Sequence, residues 1–254
     1  KGAEVMPLYV KPDRKLTARD LQNMMRDHYE GTPFDMTKDP GATNWWGVPY
    51  RYRPMEFKVD SVTYCQERAI ATQQTGFVFV SQMRSAVFVP IYCSITEVPA
   101  SYAVGKGDLY NFDFDAAFWV NNVVANQAYN RYSLMIPDIR KVQGALEDGF
   151  AQRQPEVEAH AVALCKSDPQ QAVEYLTNYS VNTAQHATHR YQELAKYLFV
   201  KYLDGNVKRE KDGKFERNEA GMPVQPQWPG YTQDYYNTVV KGSGDRLKVV
   251  EPEK

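Results

Sequence analysis

The densest group of side chains able to do chemistry is Arg26-Asp27-His28-Tyr29-Glu30-Gly31-Thr32-Pro33-Phe34-Asp35, a cation, an imidazole and several carboxylates within ten residues. It falls where a helix gives way to a loop, and groups on loops held by rigid elements are often placed for binding. The competing reading is plain. Arg26 and Glu30 at i, i+4 could be a surface pair contributing about 0.2–0.5 kcal/mol, with His28 simply packed. A second group runs from Glu67-Arg68 through Thr72-Gln73-Gln74-Thr75-Gly76-Phe77 to Ser81, Gln82 and Arg84. Amides and hydroxyls at the entry of an apolar strand could orient a peptide, or could only solvate a strand edge with Gly76 as a bulge.

Other constellations are weaker. His186 and His189 have helical spacing, but no acidic or sulfur ligand follows at an interval typical of a metal site. No metal and no cofactor are expected. Asp113 and Asp115 suit the N-terminus of a helix. A Gly-rich phosphate loop and a Gly-x-Ser-x-Gly elbow are both absent.

These groups need elements to hold them. Thr17 followed by Asp20 and the stripe Leu21, Met24, Met25, His28 and Tyr29 predicts a helix over about 18–29 with a capping box. Pro33, Pro40, Gly41, Gly47, Pro49 and Pro54 exclude a continuous helix or central strand over 31–54 and predict a long ordered loop. Thr75 to Thr96 is dense in β-branched and aromatic residues, implying two strands. With no turn residue between Arg84 and Val87, a loop is expected to be lacking between Ser85 and Ala86. Ala116, Trp119, Val120, Val123, Val124 and Ala128 share a helix face. A second helix is expected from Ile136-Pro137 towards Lys166, kinked or broken at Pro155, and a third from Ser167-Asp168-Pro169 to Asp204-Gly205. Asp212-Gly213 marks a tight hairpin turn, and the Pro-rich stretch from Pro223 to Gly230 an irregular wrapping tail.

Composition bounds the classes of function. The 254 residues carry 30 basic and 31 acidic side chains, a net charge of −1. With no basic blocks interleaved with aromatics, nucleic acid is set aside as a partner. No apolar run approaches the roughly 20 residues of a membrane span. Cys65, Cys93 and Cys165 suit neither a disulfide scaffold nor a zinc site, and the compartment stays undecided. Lys1-Gly2-Ala3-Glu4 reads as an internal start.

Several blocks carry a resemblance. RDHYEGTPFD at Arg26 to Asp35, continuing through Met36 to Ala42, resembles the cysteine dipeptidases of the N-terminal-nucleophile hydrolases, of the lactobacillus dipeptidase A type and related to the secernins. So do ERAIATQQTGF from Glu67 to Phe77, Val89 to Cys93 with Thr96 to Pro99, Asp115 to Val120, and Met135 to Arg140. The likeness is continuous from about Leu8 to Val142 and weaker beyond. It departs at Thr43-Asn44-Trp45-Trp46, where the family usually continues with another glycine, and family members are longer between the positions of Ser85 and Ala86.

The resemblance implies an α+β fold that is part of an αββα sandwich. Residues 1–110 would form the carboxy-terminal half of its core, 111–205 a helical layer or subdomain, and 206–254 a hairpin and wrapping tail. It implies hydrolysis of dipeptides by an amino-terminal cysteine supplied by an amino-terminal half of the same protein, since residue 1 is Lys1 and the three cysteines are internal. This chain alone would be inactive. Arg26, His28, Glu30 and Asp35 would line or buttress the dipeptide site, and Gln73, Gln74 and Arg84 would orient the peptide group or stabilise the oxyanion. A homo-oligomer is compatible with this reading. The alternative from another class is a non-catalytic peptide-binding or scaffold protein on the same fold. Other amide hydrolases of the same class, such as bile-salt or penicillin-type acylases, share the nucleophile but not these blocks.

Overall fold

A computed structural model describes residues 5–42, 46–66, 68–71 and 86–249. Its frame is helical. Helix α1 spans Ala18–Met25, α2 Ala117–Asn130, α3 Tyr132–Ser167 and α4 Pro169–Lys201. The last two are long, adjacent in sequence and packed along one another, with α2 laid against α4. A one-residue link at Asp168 reverses the chain between them. It succeeds because Asp168 accepts from the amides of Gln170 and Gln171, both at 3.1 Å, while Pro169 occupies a first-turn position that needs no donor.

The core lies between these three helices. Val120, Val124 and Ala128 of α2 meet Ile136, Ile139 and Leu146 of α3 and Ala187, Tyr191, Leu194 and Leu198 of α4. Tyr202, just past α4, is also buried, and its hydroxyl donates to Asp138 at 2.6 Å. Beside it the Lys201 ammonium lies 2.7 Å from both Asp138 and Glu210. Burial opposes the charge of Lys201, but the hydrogen bonds it donates to the two carboxylates outweigh it, and its pKa stands well above the ordinary lysine value.

The structure departs from the sequence reading in instructive places. Helix α1 keeps its capping box, with Thr17 N donating to Asp20 at 2.8 Å, but stops at Met25 rather than near Tyr29. There Asp27 accepts from the amide of Tyr29 at 2.7 Å, and Tyr29 takes a left-handed φ of 64°, which turns the chain out of the helix. Helix α3 begins earlier than Ile136 and runs through both Pro137 and Pro155, so Pro155 does not break it. Asp113 does not cap α2, whose N-cap is Ala116; its carboxylate instead accepts from Asp115 N at 2.8 Å and pairs with Lys106.

The apolar segment ending at Thr96 is not a strand over its described part. Residues 86–96 run without ladder pairing, and their backbone finds other partners. Tyr92 N donates to Ser180 Oγ at 3.2 Å and Thr96 N to Thr177 Oγ1 at 3.1 Å, while Ser101 Oγ lies 3.0 Å from Thr188 Oγ1. The small side chains along this face of α4 let an extended backbone approach closely enough for their hydroxyls to substitute for a neighbouring strand. The earlier part of the segment lies outside the described residues, as does the junction at Ser85.

Described strands form two hairpins. Strands β1 (Glu56–Val59) and β2 (Val62–Cys65) pair antiparallel, and β3 (Glu210–Lys211) pairs with β4 (Lys214–Phe215) about the Asp212-Gly213 turn, whose φ values are both positive. The tail adds α5 (Gln233–Ser243), which the sequence reading lacked, and Tyr231 just before it packs on Trp46 with ring centroids 5.3 Å apart. Among the described residues no helix is long and apolar enough to cross a membrane.

Leu198 is fully buried at the centre of the core. Leu198→Ala is expected to cost about 2–5 kcal/mol of stability, read as a lower urea midpoint at unchanged m-value.

Candidate active site

The site is built on the loop that leaves α1. Its first residue, Arg26, is 7% exposed and points inward. Its guanidinium meets the Glu147 carboxylate of α3 through both terminal nitrogens, with Nη1 3.2 Å from Oε2, and Nη2 also donates to the carbonyl of Ala86 at 3.0 Å. The same guanidinium lies over the Phe88 ring at 4.3 Å. The i, i+4 surface pair with Glu30 is therefore not formed; Arg26 is a buried tie between three segments.

From Asp27 the loop closes on itself. Met36 N donates to the carbonyl of His28 at 3.1 Å, and Gly31, at φ 79°, makes the reversal between them. Asp35, 7% exposed, staples this turn: Oδ1 accepts from Thr37 N at 3.0 Å and Thr37 Oγ1 at 2.6 Å, and Oδ2 from Gly31 N at 3.2 Å. Burial raises the carboxyl's pKa, but these hydrogen bonds together outweigh it and bring the pKa down to about 2. His28 is 1% exposed, with its Nδ1 3.4 Å from Glu30 Oε1, and Glu30 Oε2 accepts from His28 N at 2.8 Å. Glu30 is the one of these four side chains with substantial solvent access, at 22%.

The loop is stitched to the start of the second block. Ala71 N donates to the carbonyl of Asp27 at 3.1 Å, and the Tyr29 hydroxyl to that of Arg68 at 2.9 Å. Further along, Arg51 is buried against Asp39 and donates to the carbonyls of Met36, at 3.3 Å, and Val48, at 3.1 Å. Gly41 is required there, since a Cβ would fall 2.5 Å from Arg51 Nε.

Of the residues singled out from sequence, Arg26, His28, Glu30 and Asp35 thus come together on one closed loop. Gln73, Gln74 and Arg84 lie outside the described residues, although the Arg68–Ala71 stretch just before the two glutamines is docked on that loop. His186 and His189 are exposed on α4, and among the described residues no group of three or more His, Cys, Asp or Glu could hold a metal. Cys65, Cys93 and Cys165 are unpaired and exposed.

Sequence reasoning missed Glu147, Gln143 and Arg51. Glu147 and Gln143 stand one helical turn apart within the buried stripe of α3 that also holds Ile139 and Leu146. Polar residues in an apolar stripe were the available signal, because a buried charge needs a partner.

Asp35 carries a pH dependence whose sign follows from its lowered pKa. Its ionised form is favoured by folding, so its contribution is full above the ordinary carboxylate range and fades as pH falls from about 4 towards 2. Thr37→Val removes one of its hydrogen bonds. The variant is expected to be less stable than the parent at pH 6, with the gap closing towards pH 2, as read from urea midpoints across that range.

The profile of peptidase family C69 matches residues 1–145, which takes in the site loop, the Arg68–Ala71 stretch, Ala86–Phe88 and the first part of α3. A protein of Lactococcus lactis subsp. lactis (strain IL1403) named probable dipeptidase B is 27% identical over 139 residues, 53% of this chain and 28% of its own length. The chain therefore matches little more than a quarter of that relative. No solved structure matches. On the profile match, which spans more than half of its residues, the chain belongs to peptidase family C69.

Proposed function

We propose that this chain is part of a cysteine-type dipeptidase whose nucleophile is contributed from outside it. The observation that carries the reading is that the family match covers the closed loop of Arg26, His28, Glu30 and Asp35 together with the Arg68–Ala71 stretch hydrogen-bonded to it.

In the proposed reaction the thiolate of an amino-terminal cysteine attacks the dipeptide carbonyl. Its own α-amine, with a pKa of about 7.7–8.0, accepts the thiol proton and returns it to the leaving amine. The first amino acid departs, a thioester remains, and water releases the second. Cys65, Cys93 and Cys165 are internal and carry no free α-amine, so none is assigned this role. A dipeptide brings an ammonium and a carboxylate within a few ångströms. Glu30, more exposed than Asp35, suits the ammonium, while Arg26, His28 and Asp35, buried and internally partnered, buttress the loop. Gln73, Gln74 and Arg84 retain the proposed role of orienting the peptide group and stabilising the oxyanion.

The same proposal assigns residues 1–110 to half of an αββα sandwich, 111–205 to a helical layer and 206–254 to the hairpin and tail. Two unburied apolar faces support a further layer. Phe57, Val59, Val62 and Tyr64 are all exposed on one face of the β1–β2 hairpin, and Leu21 and Met24 are exposed on α1. A two-stranded hairpin is rarely stable without a covering surface.

The test is release of amino acids from a dipeptide panel by the full-length protein and by this chain alone, with and without iodoacetamide. Activity of the full-length protein that alkylation abolishes, with none from the chain alone, is the expected result. Dipeptide binding without cleavage by the full-length protein would replace the enzyme with the peptide-binding reading.

A further inference from the structure

From the geometry around Glu147 we infer that this residue is a positioning residue for the dipeptide site, an inference that rests on the proposed function. Glu147 lies on α3 beyond the end of the family match at residue 145, and it is 4% exposed. Its carboxylate is filled from three directions. Oε1 accepts from Arg26 Nη2 and from Phe88 N at 2.9 Å; Oε2 accepts from Arg26 Nη1 at 3.2 Å and from Arg19 Nη1 at 2.7 Å.

These partners belong to different parts of the candidate site. Arg19 stands in the first turn of α1 and Arg26 is its C-cap, so the two tie both ends of the helix to the carboxylate and set where the loop from Asp27 to Asp35 departs. Phe88 belongs to the segment that follows the second block. One turn earlier on α3, Gln143 Nε2 donates to the carbonyl of Ala86 at 2.5 Å, and the same carbonyl accepts from Arg26. One face of α3 therefore fixes the spacing between the loop after α1 and the segment at 86–88. Arg26 is held by its carboxylate rather than left free for a substrate.

The chemistry explains why a carboxylate is needed. Two guanidinium groups converge on it, so an uncharged side chain would leave Arg26 buried without its counter-charge. An amide in its place would present donor hydrogens to Arg26 or to Phe88 N–H, both donors themselves, and would push one segment away. Misplacement of about 1 Å around a reacting bond can cost roughly 100-fold in rate. The effect should therefore fall mainly on kcat.

The experiment compares Glu147→Gln, Glu147→Asp and, as a control on the same helix, Asp148→Asn in the full-length protein. Among the described residues, Asp148, itself exposed, pairs with Arg19 alone. Steady-state kinetics on a dipeptide, thermal melts and amide hydrogen exchange at Phe88 are measured on each. Glu147→Gln is expected to lower kcat by roughly tenfold or more with a smaller change in KM, and to speed exchange at the Phe88 amide. Glu147→Asp, which keeps the charge, should recover part of kcat, and Asp148→Asn should match the parent. If Glu147→Gln folds poorly, Glu147→Asp against the parent carries the comparison, with an intermediate loss of kcat at near-parental melting temperature expected. Unchanged kinetics and unchanged Phe88 exchange would overturn the inference, as would kinetic losses that only follow the melting temperature. Should the full-length protein cleave no dipeptide, the functional reading fails, and Phe88 exchange alone then decides the positional claim.

Discussion

One buried carboxylate organises this molecule. Glu147 sits inside the helical core and is surrounded by donors from Arg19 and Arg26, at the two ends of α1, and from the Phe88 segment. A charge in that position is tolerated only because Arg26 and Arg19 converge on it, and removing one partner of such a buried pair typically costs about 3–5 kcal/mol. The arrangement couples the stability of the helical hairpin to the geometry of the loop. It also raises the pKa of the adjacent buried Tyr191 well above its ordinary value, chiefly through burial and next through the negative charge of Glu147, so that Tyr191 stays a neutral member of the core.

The helices back the loop and the segment that follows residue 86. Ser180 and Thr177 of α4 accept from the amides of Tyr92 and Thr96, and α3 supplies Gln143 and Glu147. Trp46, further along the loop, is gripped in turn: Ser133 N donates to its carbonyl at 3.0 Å, the Arg131 guanidinium lies over its ring, and Tyr231 of the tail packs beside it. The described loop residues, 27–42 and 46–51, are thereby irregular in backbone yet held at many points, which is how a segment rich in Pro and Gly can carry fixed side chains.

Much of this was legible in the chain. The capping box at Thr17, the helix after Ala116, the start of α4 at Asp168-Pro169 and the Asp212-Gly213 hairpin each follow from local rules about donors, caps and turns, and each is observed. What failed was non-local. Residues 86–96 have strand composition, but side chains of the helices take the place of a neighbouring strand: Ser180 and Thr177 of α4 accept from Tyr92 N and Thr96 N, and Glu147 of α3 accepts from Phe88 N. Pro155 should interrupt a helix, yet α3 continues past it. The grouping of Arg26, His28, Glu30 and Asp35 could be read as a site from residue type and family likeness. Their burial, and the turning of Arg26 towards Glu147 more than a hundred positions away, could not, because no local pattern records which distant carboxylate a guanidinium will meet.

The most direct measurement is a map of the cysteine whose alkylation inactivates the full-length protein, by mass spectrometry with and without a protecting dipeptide. The expected label falls on an amino-terminal cysteine outside this chain and is blocked by the dipeptide. Inactivation that instead tracks with Cys65, Cys93 or Cys165 would contradict the assignment of the nucleophile and, with it, the view of this chain as the supporting part of the site.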